Sequence, residues 1–240
     1  MPKVRRTKVS YKYSIEEKTS RQKLIMDMNN SGGKTSMLFQ AALSYSAEDL
    51  HVMFICSKPW VRMPLCVHGM PRPDSSILRL LKFQYMDTVG ELLDCCASLH
   101  MKTLPDVIII DDLNYYISQM KGHGVEKGTA KLCAILLDTV AHVKKASDNH
   151  QCHLLMSAGD NAKFLHAACR HFHMNIVCIQ ESEIHTGIYT MNLHSWPRET
   201  SVNLQYQLKD SGIFLDTVMF HKQTVSDGMD RSDTLRDNPD

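Results

Sequence analysis

Runs of apolar residues alternate with helical patterns through the first two thirds of the chain. The apolar runs are short and include many β-branched residues, as in strands buried on both faces. They cover residues 24–26, 51–56, 82–85, 106–110 and 153–158. Helical spacing of apolar residues is found at 36–45, 75–81, 89–99 and, over a longer stretch, at Leu132, Leu136, Val140 and Val143. This alternation predicts an α/β fold, with a parallel sheet wrapped by helices.

The last third of the chain has a different pattern, in which strand-like segments follow one another closely. These segments cover residues 175–180, 189–193, 201–208 and 212–220. Connections this short can join only antiparallel neighbours, because parallel strands require a crossover. The pattern predicts an antiparallel extension on one edge of the parallel sheet, with no second core and no internal repeat.

A glycine-rich segment between the first strand and the first helix is the strongest candidate for chemistry. It consists of Ser31, Gly32, Gly33, Lys34, Thr35 and Ser36. Glycine amides can wrap a phosphate chain, a lysine can reach its terminal phosphates, and a threonine hydroxyl can bind Mg²⁺. The glycine that opens the consensus loop is replaced here by Met28. The segment predicts a phosphate-binding loop with an altered entrance.

Two carboxylates end the apolar run at 106–110 and supply the context that this loop requires. Asp111 should lie at the carboxyl end of a buried parallel strand, which is where open α/β sheets bind ligands. There it could hold Mg²⁺ together with Thr35. The alternative interpretation is that the pair caps the next helix, and this suits Asp112 better. The sequence thus predicts a nucleotide site built on Lys34, Thr35 and Asp111.

Composition is consistent with one intracellular domain. A chain of 240 residues with 43% hydrophobic residues can bury one sizeable core. No apolar run is long enough to span a membrane, and the eight cysteines form no C-x-x-C pair, which favours reduced, buried thiols. A patch at His166, Cys169, His171 and His173 lacks the second ligand pair of a closed zinc site.

The two ends of the chain carry opposite charge, although the net charge is only +1. Residues 1–22 form a basic arm, and residues 223–240 form an acidic tail that we expect to be disordered. One interpretation is that both ends are solvated and mobile. The other is that the basic arm contacts nucleic-acid phosphates or acts in nuclear import.

The order of these elements resembles the core ATPase domain of RecA/RadA-type recombinases and their paralogues. Within that family, segments 81–85, 92–100 and 136–142 look most like the small ATPase subunit of the Shu complex. The resemblance spans about 23–215, and it implies a RecA-like P-loop core at 23–222. It also implies ATP and Mg²⁺ as cofactors at residues 31–36 and Asp111. We expect no counterpart here of the N-terminal DNA-binding domain that full recombinases carry.

The resemblance further implies a role in homologous-recombination DNA repair in the nucleus. The implied partners are single-stranded DNA, a recombinase filament and a SWIM-type zinc-finger protein that forms a heterodimer with this subunit. The glycine content of residues 118–128 predicts a flexible loop, and the first DNA-binding loop of the family falls there. Lys121, His123 and Lys127 would contact DNA from it. The alternative is a solvated loop without a DNA role, because no aromatic residue within it offers a platform for base stacking. The second DNA-binding loop of the family falls at 160–170 and is shortened.

One family residue is missing from the predicted site. Recombinases place a catalytic glutamate just after the second core strand, and this chain has Lys58 there. Because positioning of water and charge stabilisation carry most of phosphoryl transfer, we expect slow hydrolysis even when ATP binds. Two hypotheses follow: a weak ATPase stimulated by single-stranded DNA, or a catalytically inactive scaffold that acts through protein contacts. A P-loop kinase is less consistent with the sequence, since no acceptor-binding motif is present.

Two segments bear on how partners would bind. Residues 39–42 fit the Phe-x-x-Ala peptide with which recombinases bind neighbours, but they lie in the predicted helix after the phosphate loop. That helix must pack on the sheet, so Phe39 is expected in the core. The partner surface is expected elsewhere, on the antiparallel extension or an edge strand near 212–220.

Overall fold

The structure is a computed structural model of the 240-residue chain. It describes residues 22–27, 32–99, 103–120, 124–147, 150–159, 163–194 and 200–222. Met28, Ser31, Lys121 and His123 lie outside the described residues, as do the predicted acidic tail and nearly all of the basic arm.

Within these residues the chain forms nine strands and six helices. The strands are β1 Gln22–Asp27, β2 Val52–Cys56, β3 Leu81–Tyr85, β4 Val107–Ile110, β5 His153–Gly159, β6 Asn175–Glu181, β7 Ile188–His194, β8 Thr200–Lys209 and β9 Gly212–Lys222. The helices are α1 Lys34–Ala47, α2 Ser75–Leu78, α3 Val89–Ser98, α4 Leu113–Ser118, α5 Gly124–Ala146 and α6 Lys163–His171. The nine strands and four of the helices follow the predicted order, while α6 was not predicted and α4 only as the helix that Asp112 would cap.

All nine strands join one sheet, in the order β3-β2-β4-β5-β1-β6-β7-β8-β9. The six strands β1 to β6 run parallel, and β6 to β9 pair antiparallel through short connections. The predicted parallel sheet with an antiparallel extension is therefore confirmed. Because β5 lies between β1 and β4, the ends of these three strands face the start of α1 together.

Helices cover both faces of the parallel part, and each face has its own apolar core. On one face α3, α4, α5 and α6 bury residues such as Leu92, Tyr116 and Leu136. On the other face α1 and the segment after β2 pack with the antiparallel strands, and Phe39 is fully buried there. The prediction that Phe39 belongs to the core is confirmed.

The predicted glycine-rich loop at 118–128 is too long. Helix α4 ends at Ser118 and α5 already begins at Gly124, so Lys127 and Gly128 are helical. A Cβ at Gly128 would lie 2.9 Å from Cβ of Met120, closer than real side chains approach. Gly128 therefore permits close packing of the helix, where the sequence analysis took it as a sign of flexibility.

The second predicted DNA loop, at 160–170, is also largely helical. Helix α6 occupies Lys163–His171, and 160–162 lie outside the described residues. Cys169 on this helix is fully buried, and burial raises its pKa to about 12. Among the residues that the structure describes, no group of three or more His, Cys, Asp or Glu side chains could hold a metal ion.

The described cysteine thiols form no disulfide, and most of them are buried. Burial raises the pKa of several of them, including Cys133 to about 11. No helix in the described part of the chain is both long and apolar enough to cross a membrane.

Candidate nucleotide-binding site

The described part of the glycine-rich segment, from Gly32 to Ser36, leads into α1. Gly33 occupies the N-cap position of α1 with φ +77°, a left-handed conformation that favours glycine. Its carbonyl accepts the first helical hydrogen bond, from Met37 N–H at 2.9 Å. Lys34 and Thr35 are thus the first two residues of the helix, where backbone amides and the helix dipole favour an anion.

Thr35 and Asp111 are brought together as the sequence predicts. The Thr35 hydroxyl donates to Oδ2 of Asp111 at 2.7 Å, which joins the start of α1 to the end of β4. The backbone amide of Asp111 donates to the Ile55 carbonyl at 2.9 Å and so fixes the carboxylate against β2. The two residues are separated by 76 positions in sequence, so only the sheet topology explains their contact.

A third residue, which sequence reasoning missed, completes this cluster. Ser157 on β5 is fully buried, and its hydroxyl donates to Oδ1 of Asp111 at 2.7 Å. The same hydroxyl accepts from the backbone amide of Asp112 at 2.9 Å. A serine in an apolar strand is a weak signal, and only the position of β5 between β1 and β4 shows what it contacts.

Electrostatics at Asp111 combine opposing influences. Burial raises its pKa above the ordinary value of 3.8, and the neighbouring charge of Asp112 acts in the same direction. The hydrogen bonds from Ser157 and Thr35, and the positive charge of Lys34, favour the ionised form. The carboxylate is therefore a buried anion that lacks full compensation in the chain alone, and a cation bound beside it would supply that compensation.

The donor set fits Mg²⁺. Magnesium takes oxygen ligands at about 2.0–2.1 Å in an octahedron, which places neighbouring oxygens about 2.9 Å apart. The Thr35 and Asp111 oxygens, 2.7 Å apart, have nearly that separation. Both are hard oxygen donors at the start of a helix that can bind phosphate, and this is the combination that a magnesium–nucleotide complex requires.

Ser36, predicted as a phosphate ligand, has its side chain engaged elsewhere. Its hydroxyl accepts from Leu65 N–H at 3.0 Å and so holds the segment after β2 against α1. Gln40, one turn later, accepts from Val67 N–H at 2.8 Å and donates to the Pro71 carbonyl at 3.0 Å. These contacts fasten the proline-punctuated segment after β2 onto α1.

The position of the missing glutamate lies in this segment after β2, which is hydrogen-bonded to α1. Lys58 follows β2 and is exposed. Cys56, at the end of β2, is buried, and burial together with the Asp111 charge raises its pKa to about 11. With its pKa raised in this way, the Cys56 thiol stays protonated at neutral pH and is not a base that could activate water.

Asp112 takes the N-cap position of α4, but its side chain makes no capping hydrogen bond. Its backbone is left-handed, with φ +59°, which is uncommon for a residue with a side chain. The helix-cap interpretation therefore holds for the position of Asp112, which starts α4 without a capping side-chain bond, and it is wrong for Asp111, which lies in the cluster described above.

The predicted DNA contacts are only partly described. Lys127 is exposed in the first turn of α5, while Lys121 and His123 lie outside the described residues. Their role as DNA ligands stays a prediction.

The antiparallel extension contributes to the phosphate loop, a contact that the sequence did not indicate. The hydroxyl of Tyr206 on β8 donates to the Gly32 carbonyl at 2.7 Å. Leu208 on the same strand contacts Gly33, because a Cβ there would lie 3.3 Å from its Cδ1. The extension therefore packs directly on the candidate site.

Comparison with known proteins places these observations in context. No family model matches the chain. The chain is 30% identical over 128 residues to a curated mouse (Mus musculus) protein named ATPase SWSAP1. The match covers 52% of this chain and 44% of the mouse protein, so the chain spans less than half the length of that relative.

The fold also matches a solved structure, that of a KaiC-like protein from the hyperthermophilic archaeon Pyrococcus horikoshii. The TM-score is 0.54 at 12% identity, and the match covers 83% of this chain and 90% of the archaeal chain. At that identity the likeness concerns the fold alone. The predicted resemblance is thus confirmed as a likeness of fold to this archaeal protein and a likeness of sequence to ATPase SWSAP1.

Proposed function

We propose that the chain is a recombination-related RecA-like ATPase paralogue that binds ATP with Mg²⁺ at the α1 site. The observation that carries the proposal is the hydrogen bond between Thr35 and Asp111, which assembles the metal-binding oxygens at the start of α1. The amides of Gly32, Gly33 and the first helical residues would hold the phosphates, with Ser31 at the loop entrance. Lys34 would bind the terminal phosphates, and Thr35 and Asp111 would hold Mg²⁺.

Hydrolysis at this site should be slow. The bound ion would offset phosphate charge, but no carboxylate stands at the family's glutamate position, which is occupied by Lys58. What the chain's own residues supply is binding and orientation. Nucleotide occupancy would then act mainly by stabilising this face of the fold.

The biological setting belongs to the same proposal. The similarity to ATPase SWSAP1 and the RecA-like fold support a homologous-recombination repair factor in the nucleus. It would bind single-stranded DNA through the cations near the start of α5 and support recombinase filaments with a SWIM-type zinc-finger partner. The competing hypothesis is an inactive scaffold, and the replacement of the catalytic glutamate by Lys58 favours it.

The decisive experiment is a measurement of Mg²⁺-ATP affinity by calorimetry. Lys34→Ala should weaken binding about tenfold or more, because it removes a charge-assisted contact to phosphate. Lys145→Ala, which removes an exposed lysine in the last turn of α5, is the matched control and should bind as wild type. Equal affinity of the two variants would show that the glycine-rich loop is only structural.

A second experiment separates the ATPase from the scaffold. The chain would be purified alone and with the SWIM-type protein, and turnover measured with and without single-stranded DNA. DNA binding through backbone contacts should weaken steeply with salt, and also when Lys121 and Lys127 are replaced by alanine. A monomer that ignores both the partner and DNA would contradict the repair assignment while leaving nucleotide binding intact.

A further inference from the structure

Strand β8 reaches the phosphate loop through one buried hydroxyl. Tyr206 is 2% exposed, and its phenol donates to the Gly32 carbonyl at 2.7 Å. The ring stacks on Tyr189 of β7, with centroids 5.6 Å apart and planes inclined by 21°. Both rings are held inside the apolar core beneath α1, so the phenol has a fixed direction.

The direction of the Gly32 carbonyl determines the direction of the next amide. In a trans peptide the C=O and the following N–H point to opposite sides of the chain. Since the Gly32 carbonyl points toward β8, the Gly33 amide points away from β8. Within the part of the chain that the structure describes, that amide makes no hydrogen bond. Among the described residues it is a donor held in one direction without an acceptor.

The same strand also restricts Gly33 itself. A Cβ at this position would lie 3.3 Å from Leu208 Cδ1 and 3.9 Å from Ile213 Cδ1. These contacts and the positive φ limit the conformations that the Gly32–Gly33 unit can adopt. Two independent contacts from the β8–β9 hairpin, one polar and one apolar, therefore fix the orientation of the same peptide group, which joins Gly32 to Gly33.

An irregularity in the strand pairing coincides with these contacts. The β8–β9 register shifts between Gln205 and Tyr206, because Asp216 is an extra residue on β9. Such a bulge bends the strand and changes where the neighbouring side chains point. The bulge lies next to Tyr206, in the part of the hairpin where the Tyr206 and Leu208 side chains contact the phosphate loop.

We propose that Tyr206 is a positioning residue that orients the Gly33 amide toward the phosphates of a bound nucleoside di- or triphosphate. The inference rests on the proposed nucleotide binding. It adds a residue outside the phosphate loop that contributes to nucleotide affinity. Tyr206 does not touch the nucleotide. It fixes a donor in advance, so that less ordering is needed when phosphate binds.

The test compares Tyr206→Phe with Tyr189→Phe, which removes the hydroxyl of the stacked partner. Affinities for Mg²⁺-ATP and Mg²⁺-ADP would be measured by calorimetry, and that for adenosine by ligand-detected NMR. Tyr206→Phe should raise the Kd for both phosphorylated ligands about three- to tenfold, as expected for one lost hydrogen bond. Adenosine affinity should not change, and Tyr189→Phe should bind all three ligands as wild type.

A merely structural role for the phenol predicts a different result. It would lower the melting temperature of the unliganded chain while leaving the Kd for ATP unchanged, and that outcome would overturn the inference. An equal loss of adenosine binding would also overturn it. Leu208→Ala is a second variant that relaxes Gly33 without removing the hydrogen bond, and it should likewise weaken ATP but not adenosine. Failure of the wild-type chain to bind ATP would instead overturn the proposed function.

Discussion

The two hydrogen bonds of Ser157 should contribute measurably to the stability of the fold. Ser157→Ala removes the donor to Asp111 and the acceptor for the Asp112 amide. A hydrogen bond to a charged group contributes about 1.5–3 kcal/mol, and loss of the acceptor for the part-buried Asp112 amide costs at most about 1–3 kcal/mol. The effects overlap, since Asp111 can take up a proton when it loses its partner, so we expect a destabilisation of about 2–4 kcal/mol.

Ser46 offers a matched control in the same protein. It is 2% exposed, and its hydroxyl is the one buried side-chain oxygen or nitrogen of the described residues that has no hydrogen-bond partner. Ser46→Ala removes a buried polar group that is not satisfied, and it places a better helix former in α1. This substitution should be neutral or should stabilise the chain by up to about 1 kcal/mol.

Thermal unfolding of the two variants without nucleotide, at neutral pH, decides the matter. For a domain of this size, about 2–4 kcal/mol corresponds to a melting temperature lowered by roughly 5–15 °C. The Ser46 variant should melt at or slightly above the wild-type temperature. If both serine variants melt together, the Ser157 hydrogen bonds do not stabilise the Asp111 cluster, and our account of the cluster is wrong.

Two further predictions concern the same face of the sheet. Because burial raises the Asp111 pKa above its value in the unfolded chain, the unliganded protein should lose stability as pH rises through that pKa. Asp111→Asn should remove this loss in melting curves taken from acid to neutral pH, and should abolish the Mg²⁺-dependent stabilisation by ATP; an unchanged pH profile would contradict the prediction. Lys58→Glu restores a carboxylate at the family's position and should raise ATP turnover about tenfold or more in a phosphate-release assay; an unchanged rate would mean that the position is misassigned.

The parallel core could be predicted because central strands such as β2 and β4 are uninterrupted apolar runs. The run before Asp111 predicted both a buried strand and a ligand at its carboxyl end, and the structure brings Asp111 to Thr35. Glycine content misled the prediction at 118–128, because Gly124 and Gly128 begin and pack α5. Local composition cannot separate glycine used for flexibility from glycine used for close approach.

The contacts of Ser157 and Tyr206 could not be predicted from the sequence, for a different reason. Each depends on a partner far away in sequence, and neither residue stands out within its own strand. Ser157 became interpretable only once β5 was placed beside β4, and Tyr206 only once β8 was seen against α1. Sequence motifs show which residues carry the chemistry. The residues that hold those motif residues in place can be identified only from tertiary packing.

The place of β1 in the middle of the sheet has a consequence for how the chain folds during synthesis. Strand β1 is made first, yet it pairs only with β5 and β6, and the loop that follows it is bound by Tyr206, 174 residues later. Contacts this distant in sequence form late and slow the folding of a domain. A nascent chain that has not yet released β8 from the ribosome can assemble its parallel strands but cannot finish the phosphate loop. Nucleotide would then bind only after translation has passed that strand, when it could act as a late stabiliser of the newly made protein.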